Sequence, residues 1–162
     1  MKQLSNQATA AKLIRQELKA AFPLTKFRVT SRSFSMGDAV DIRWDNGPST
    51  EAVKDITDKY QYGKFDGMRD IYEYSNNRKD IQQSKYVTTH RTITDDNYNV
   101  FLSYAKKHFS GCDHINSLDA SDKELLNKWG AWTVRNLAYR FIGKVDLTNG
   151  LTFSAIEQAI GA

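Results

Sequence analysis

At 162 residues, with a 40% hydrophobic fraction and three tryptophans, the chain has the size and core-forming content of one domain, with or without a terminal extension, and global disorder is not expected. Its net charge of +4, from 23 Lys/Arg against 19 Asp/Glu, is too mild to mark a dedicated nucleic-acid binder by itself. No run approaches the roughly 20 apolar residues that span a bilayer, the start lacks the apolar centre of a secretory signal, and the single Cys112 leaves no intrachain disulfide, so a soluble cytoplasmic protein with no membrane partner is expected.

In chain order, Ala10, Leu13, Ile14, Leu18 and Ala21 recur at helical spacing with Lys12, Arg15, Gln16 and Lys19 between them. This predicts an amphipathic helix from about Thr9 to Ala21, with a basic outer side, ended by Pro23. "KFRVTSRSF" alternates Phe27 and Val29 with Lys26, Arg28 and Thr30, and "AVDIRW" sets Val40, Ile42 and Trp44 against Asp41 and Arg43. Both read as strands with one buried face, joined through Ser35-Met36-Gly37-Asp38 as a hairpin. Asp45-Asn46-Gly47-Pro48 closes the second strand. Ser49 or Thr50 then caps a helix to about Tyr60, with Val53, Ile56 and Tyr60 on one face.

"DIYEYS" reads as a third strand and "SKYVTTHRTIT" as a fourth, with the polar loop 75–80 between them. In "GKFDGM", Gly63 and Gly67 are read as bends feeding the third strand, with Phe65, Met68 and Ile71 turned to the core and Tyr72 or Tyr74 facing out. Thr94-Asp95-Asp96 opens a helix with a stripe of Tyr98, Phe101, Leu102 and Ala105. Gly111 marks a boundary. Beyond it, Ser121-Asp122-Lys123-Glu124 resembles a capping box for one long helix to about Ile142, and 153–160 gives a last short helix. Residues 111–162 hold five Lys/Arg against six Asp/Glu, so the basic excess lies in the first 110 residues.

The fold class expected is α+β: a small antiparallel sheet of about four strands with packed helices, in the order α-β-β-α-β-β-α, over residues 8–110. A helical C-terminal extension, 111–162, is expected to pack on it.

Three features occur in order: "AAKLIRQELKAAFPLTKFRVTSRSFSMGDAVDIRWDNGP", a helix leading to Tyr60, and "GKFDGMRDIYEY". Together they resemble a large polyvalent-protein-associated domain, the twenty-ninth of that series, over roughly residues 8–91. The resemblance implies the context of phages, plasmids and other conjugative elements, whose polyvalent proteins enter a recipient cell with incoming DNA. It carries no catalytic residue set.

His108, Cys112 and His114 in "HFSGCDH" are zinc-type donors, but no fourth ligand or metal-binding motif accompanies them, and helix-end polar residues are the simpler reading. Cys112 beside two histidines is equally weak as a nucleophile, because catalytic pairs form in space rather than in sequence. Asp38, Asp41 and Asp45, and the pair Asp66 and Asp70, sit where turns and strand edges use aspartate locally. No phosphate loop or dinucleotide motif is present. No catalytic residue, cofactor or metal is therefore assigned.

Binding remains. Trp129 and Trp132, three apart, are read on one helical face, a pattern found in protein hot spots. Lys26, Arg28, Arg32 and Arg43 project from the strands, the helix adds Lys12, Arg15 and Lys19, and Tyr62, Tyr72, Tyr74 and Tyr86 are available to stack on bases. The expected function is a non-enzymatic accessory or anti-defence protein that binds a host defence protein or nucleoprotein complex of the CRISPR or restriction kind. The alternative is a DNA- or RNA-binding module on the basic helix and strand face.

Overall fold

The computed structural model describes residues 4–161, and the chain divides into two units, one up to Thr92 and one from Ile93 onward. The first begins with helix α1, Asn6–Ala21, three residues earlier than the periodicity places it. Ala10, Ala11, Ile14 and Leu18 form its buried stripe. Pro23, just past its end, has no N–H with which to continue the helical ladder.

Strands β1, Arg28–Phe34, and β2, Gly37–Asp45, form the expected antiparallel hairpin. The two-residue alternation sends Val29, Val40, Ile42 and Trp44 inward onto Ile14 and Leu18 of α1. Full burial of side chains such as Ile14, Leu18 and Ile42 contributes about 1.5–3 kcal/mol each. Ser49 caps helix α2, Thr50–Thr57, by accepting from the Ala52 N–H at 3.2 Å. The helix runs into a 3-10 turn, Asp58–Tyr60. There the buried Tyr60 hydroxyl donates to Glu17 at 2.7 Å, and Lys59 pairs with the same carboxylate at 2.6 Å. Burial, then Glu17, pushes the Tyr60 hydroxyl well above its usual range.

The expected four-stranded antiparallel sheet is corrected on two points. Strand β5, Tyr86–Thr92, pairs parallel to β2, from Ala39 opposite Tyr86 to Asp45 opposite Thr92, giving a three-stranded sheet in the order β1-β2-β5. The chain between them, α2 included, is long enough for the crossover that a parallel pair requires. The predicted third strand shrinks to β4, Ile71–Glu73, and pairs outside that sheet with β3, Lys64–Asp66, which the sequence reading missed. Its turn is local. Asp66 accepts from the N–H groups of Met68 and Arg69 at 3.0 and 3.4 Å, and Asp70 adopts a φ of 52°.

The orientation of this hairpin is also the reverse of expectation, since Phe65, Met68 and Ile71 are solvent-exposed, Met68 almost completely at 99%. With only two strands, the hairpin has no second layer, and Phe65 and Ile71, on its opposite faces, are both left uncovered. A β-carbon at Gly67 would meet only the Phe65 ring, in ordinary contact at 3.9 Å, whereas Gly63 is buried against β4.

The second unit is helical: α3, Asp95–His108, α4, Lys123–Trp129, α5, Val134–Ile142, and α6, Phe153–Gly161. Phe101, Leu125, Leu137, Ile142 and Ile156 are at its core. The single long helix predicted from 121 to 142 is two. Gly130, at a φ of 63°, ends α4 in a left-handed conformation, and Thr133 starts α5 by accepting from Asn136 N–H. Asp122 caps α4 by accepting from Leu125 N–H at 2.8 Å. Gly111, the boundary expected from the sequence, lies within this unit.

Candidate functional site

Residues directly paired across a sheet share a face, so the outer side of β1-β2-β5 can be read row by row. Arg28 is opposite Arg43, and Arg43 is opposite His90. The next outward row is Thr30, Asp41 and Thr88, where the Thr88 hydroxyl donates to Asp41. The third is Arg32, Ala39 and Tyr86. Arg32 reaches back to pair with Asp41 at 3.1 Å. Neither Lys26, Arg28 nor Arg43 has an ion-pair partner among the described residues. With His90, Trp44, Thr92 and one carboxylate, Asp45, these three cations line an open cleft of about 560 Å3. Such a concentration of one sign of charge attracts an anionic partner.

A run of aromatic rings leads away from the third row. Phe34 stacks on Tyr86 at 6.3 Å between centroids, Tyr86 meets Tyr72 edge-on at 5.7 Å, and Tyr72 meets Tyr62 and Tyr74 at 5.9 and 5.2 Å. Tyr62 and Tyr74 are parallel, 5.7 Å apart with 5° between planes. The Lys85 ammonium lies over both Tyr72 and Tyr86, at 5.1 and 5.6 Å. The Tyr72 hydroxyl donates to the Lys85 carbonyl, and burial, then its tyrosine neighbours, pushes its pKa up to about 12. Tyr74, at 64%, is the most exposed of these rings, ahead of Phe34 at 43%.

The predicted basic and tyrosine binding residues thus separate into groups, with Tyr86 in the third row of the sheet. Lys26, Arg28 and Arg43 come together, Arg32 stands two rows away in its ion pair, and Tyr62, Tyr72 and Tyr74 cluster. Lys12, Arg15 and Lys19 do not join them, because α1 packs on the inward side of the sheet. Arg15 is engaged there, donating to the Val29 carbonyl at 2.7 Å. His90 was missed by the sequence reading. The alternation of Tyr86, Thr88 and His90 against the inward Val87 is the signal that identifies it.

The other candidates are taken up locally. Asp38 accepts from the Ser84 hydroxyl and the Lys85 N–H at 2.9 and 2.7 Å, and Asp66 holds its turn and pairs with Arg69. His108 stacks on Tyr104 at 4.3 Å, His114 pairs with Asp122 at 2.8 Å, and Cys112 is buried in the helical core. Burial, then nearby carboxylates, pushes the Cys112 thiol up in pKa. No three His, Cys, Asp or Glu side chains are grouped to hold a metal among the described residues. Trp129 and Trp132 do not share a face. The first stacks on Phe109 at 4.4 Å, while Trp132 lies past the end of α4 and is 56% exposed.

The sheet, the hairpin and α3 all fall within one family match: the model of large polyvalent protein associated domain 29 covers residues 5–117. The chain belongs to that family. The match extends the resemblance, seen in the sequence over 8–91, through α3 and past Gly111. The family's name ties the domain to large polyvalent proteins, the class associated with phages and other mobile elements. Comparison with curated proteins and with solved structures gave no match. No helix among the described residues is long and apolar enough to cross a membrane.

Proposed function

We propose that the chain is a non-enzymatic accessory protein of a mobile genetic element, acting by binding, and that the outer face of the β1-β2-β5 sheet is a nucleic-acid contact. One observation carries the reading: Arg28 and Arg43 stand directly opposite each other with no carboxylate paired to either among the described residues. Like charges placed so are destabilising in the free protein. A local rule broken without visible compensation is the mark of a functional surface. A polyphosphate backbone supplies the missing counter-charge. The absorption of Asp38, Asp41 and Asp66 into local hydrogen bonds supports a binding role over acid–base chemistry.

The test is fluorescence anisotropy of a labelled oligonucleotide over a salt series. Affinity is expected to fall steeply with salt, and an Arg28→Ala/Arg43→Ala variant to weaken binding and reduce the salt slope by about 1–2. Absence of binding by the wild type at low salt overturns the reading.

A second reading, a host defence protein or nucleoprotein complex of the CRISPR or restriction kind as target, is favoured by a different observation. Phe65, whose ring lies beside Gly67, and Met68 are both exposed at the turn of the β3–β4 hairpin, and exposed apolar patches mark association sites. Its test is a pull-down from nuclease-treated host lysate with wild type and a Phe65→Asp/Met68→Asp variant. A stoichiometric partner lost by the variant is expected. Equal recovery by both removes the hairpin from the argument.

A further inference from the structure

We propose that Tyr62 and Tyr74 form a base-stacking subsite, so that the nucleic acid taken by this surface is single-stranded. The inference rests on the nucleic-acid reading of the sheet and deepens it. The sheet cations neutralise phosphates and are blind to whether a strand is paired. The tyrosines are not.

The ring run Tyr86–Tyr72–Tyr62/Tyr74 connects the outer face of the sheet to a second cleft of about 340 Å3, lined by Tyr62, Tyr74, Asn77, Arg78, Gln82 and their neighbours. That volume lies within the roughly 300–1,000 Å3 range of ligand-sized pockets. The parallel pair Tyr62 and Tyr74 offers a flat apolar surface that Tyr74 leaves open to solvent. From the Arg28–Arg43–His90 row to Tyr86 is four residues along β5, about 13 Å at the usual strand rise. A backbone lying on the cations therefore continues over the rings within a few nucleotides.

The polar lining divides by role. Gln83 is consumed by the fold: its amide donates to the carbonyls of Lys59 and Asn76 at 2.7 and 2.8 Å and accepts from the Arg78 N–H at 2.7 Å. Asn76 likewise donates to the Gln61 carbonyl at 2.9 Å. These bonds fix the wall. Asn77 and Gln82, beside the rings, have no protein hydrogen-bond partner among the described residues, and each offers a donor and an acceptor to a base edge. In a duplex, base faces are closed by their neighbours and base edges are paired. Only an unpaired base brings a free π-face to a tyrosine and a free edge to an amide.

Tyr72 is excluded from this role because its hydroxyl is committed to the Lys85 carbonyl and its ring to three neighbours. Tyr74 is the residue to test.

The experiment compares anisotropy of a short oligothymidylate, a duplex of the same length and an abasic strand, for wild type, Tyr74→Phe, Tyr74→Ala and Arg28→Ala/Arg43→Ala. The wild type is expected to prefer the oligothymidylate to the duplex by about tenfold or more. Tyr74→Ala should lose that preference while keeping duplex affinity and salt slope, and Tyr74→Phe should retain it. The abasic strand should bind wild type about as weakly as the oligothymidylate binds Tyr74→Ala. Equal wild-type affinity for single strand and duplex overturns the subsite while the arginine variant's loss keeps the sheet contact standing. So does a Tyr74→Ala variant that binds the oligothymidylate normally, or one that loses duplex and single-strand binding together. A wild type that binds none of the probes at low salt overturns the subsite and the sheet reading together.

Discussion

Gly63 runs so close to Glu73 that a β-carbon at 63 would collide with the Glu73 carbonyl and come within 2.5 Å of the Tyr72 ring. Gly63 therefore permits a close approach of two backbones. The substitution Gly63→Ala is expected to destabilise the first unit by about 1–3 kcal/mol, as overpacking does, and to displace Tyr72 and its neighbours. Gly67→Ala, whose β-carbon would make only ordinary contact with the Phe65 ring at 3.9 Å, serves as the control and should be near neutral in urea unfolding. A silent Gly63→Ala would remove the rigid support argued for the tyrosine cluster.

The opposed arginines predict a conflict between stability and binding. Arg28→Glu converts a like-charge pair with Arg43 into an opposite one, worth about 0.2–1 kcal/mol. Thermal unfolding should move up slightly while oligonucleotide affinity falls. A variant that is both less stable and normal in binding contradicts the account of this face.

The pairing of His114 with Asp122 at 2.8 Å makes the second unit sensitive to pH. The Asp122 hydrogen bond raises the His114 pKa above its ordinary 6.5. Its contribution is complete below 6.5 and is lost as pH rises through the elevated value. The Asp122 carboxyl is held below its ordinary 3.8, first by the Leu125 N–H and then by His114. That contribution is present above 3.8 and is lost as pH falls through the lowered value. Melting temperature should fall as pH rises past 6.5, and His114→Gln should flatten that side of the profile. An unchanged slope in the variant would assign the pH dependence to other groups.

Two tryptophans three positions apart should respond differently to removal. Trp129 stacks on Phe109 and donates its indole N–H to the Ser110 carbonyl at 3.2 Å, so Trp129→Ala is expected to cost about 3 kcal/mol. Trp132, largely exposed, should cost about 0.5 kcal/mol or less. Chemical denaturation of the two variants side by side decides it.

The elements that were legible in sequence are those with a clean period. The stripe Ala10, Ile14, Leu18 set α1, and the alternation Val40, Ile42, Trp44 set β2 and the outward direction of Arg43. Strand direction was not legible, because an alternating strand such as β5 reads the same in a parallel or antiparallel partnership. Nor was the break at Gly130, where apolar residues at 129, 131 and 132 continue a helical pattern that the backbone abandons. Phe65, Met68 and Ile71 misled because hydrophobicity implies burial only where a second layer exists to receive it. In the candidate site, period alone located Arg28 and Arg43. Bringing His90 into their row needed the β2–β5 register, and separating them from Lys12 and Lys19 needed the placement of α1.

The buried thiol of Cys112, the one cysteine of the chain, turns the second unit into its own reporter. Cys112 lies in the segment between α3 and α4, so an alkylating reagent reaches this sulfur when that segment or the helices beside it open, and the labelling rate in native buffer measures how often they do. No introduced probe is needed. Any variant, salt or partner that tightens or loosens that unit will be read as a change in a single reaction, one site per molecule.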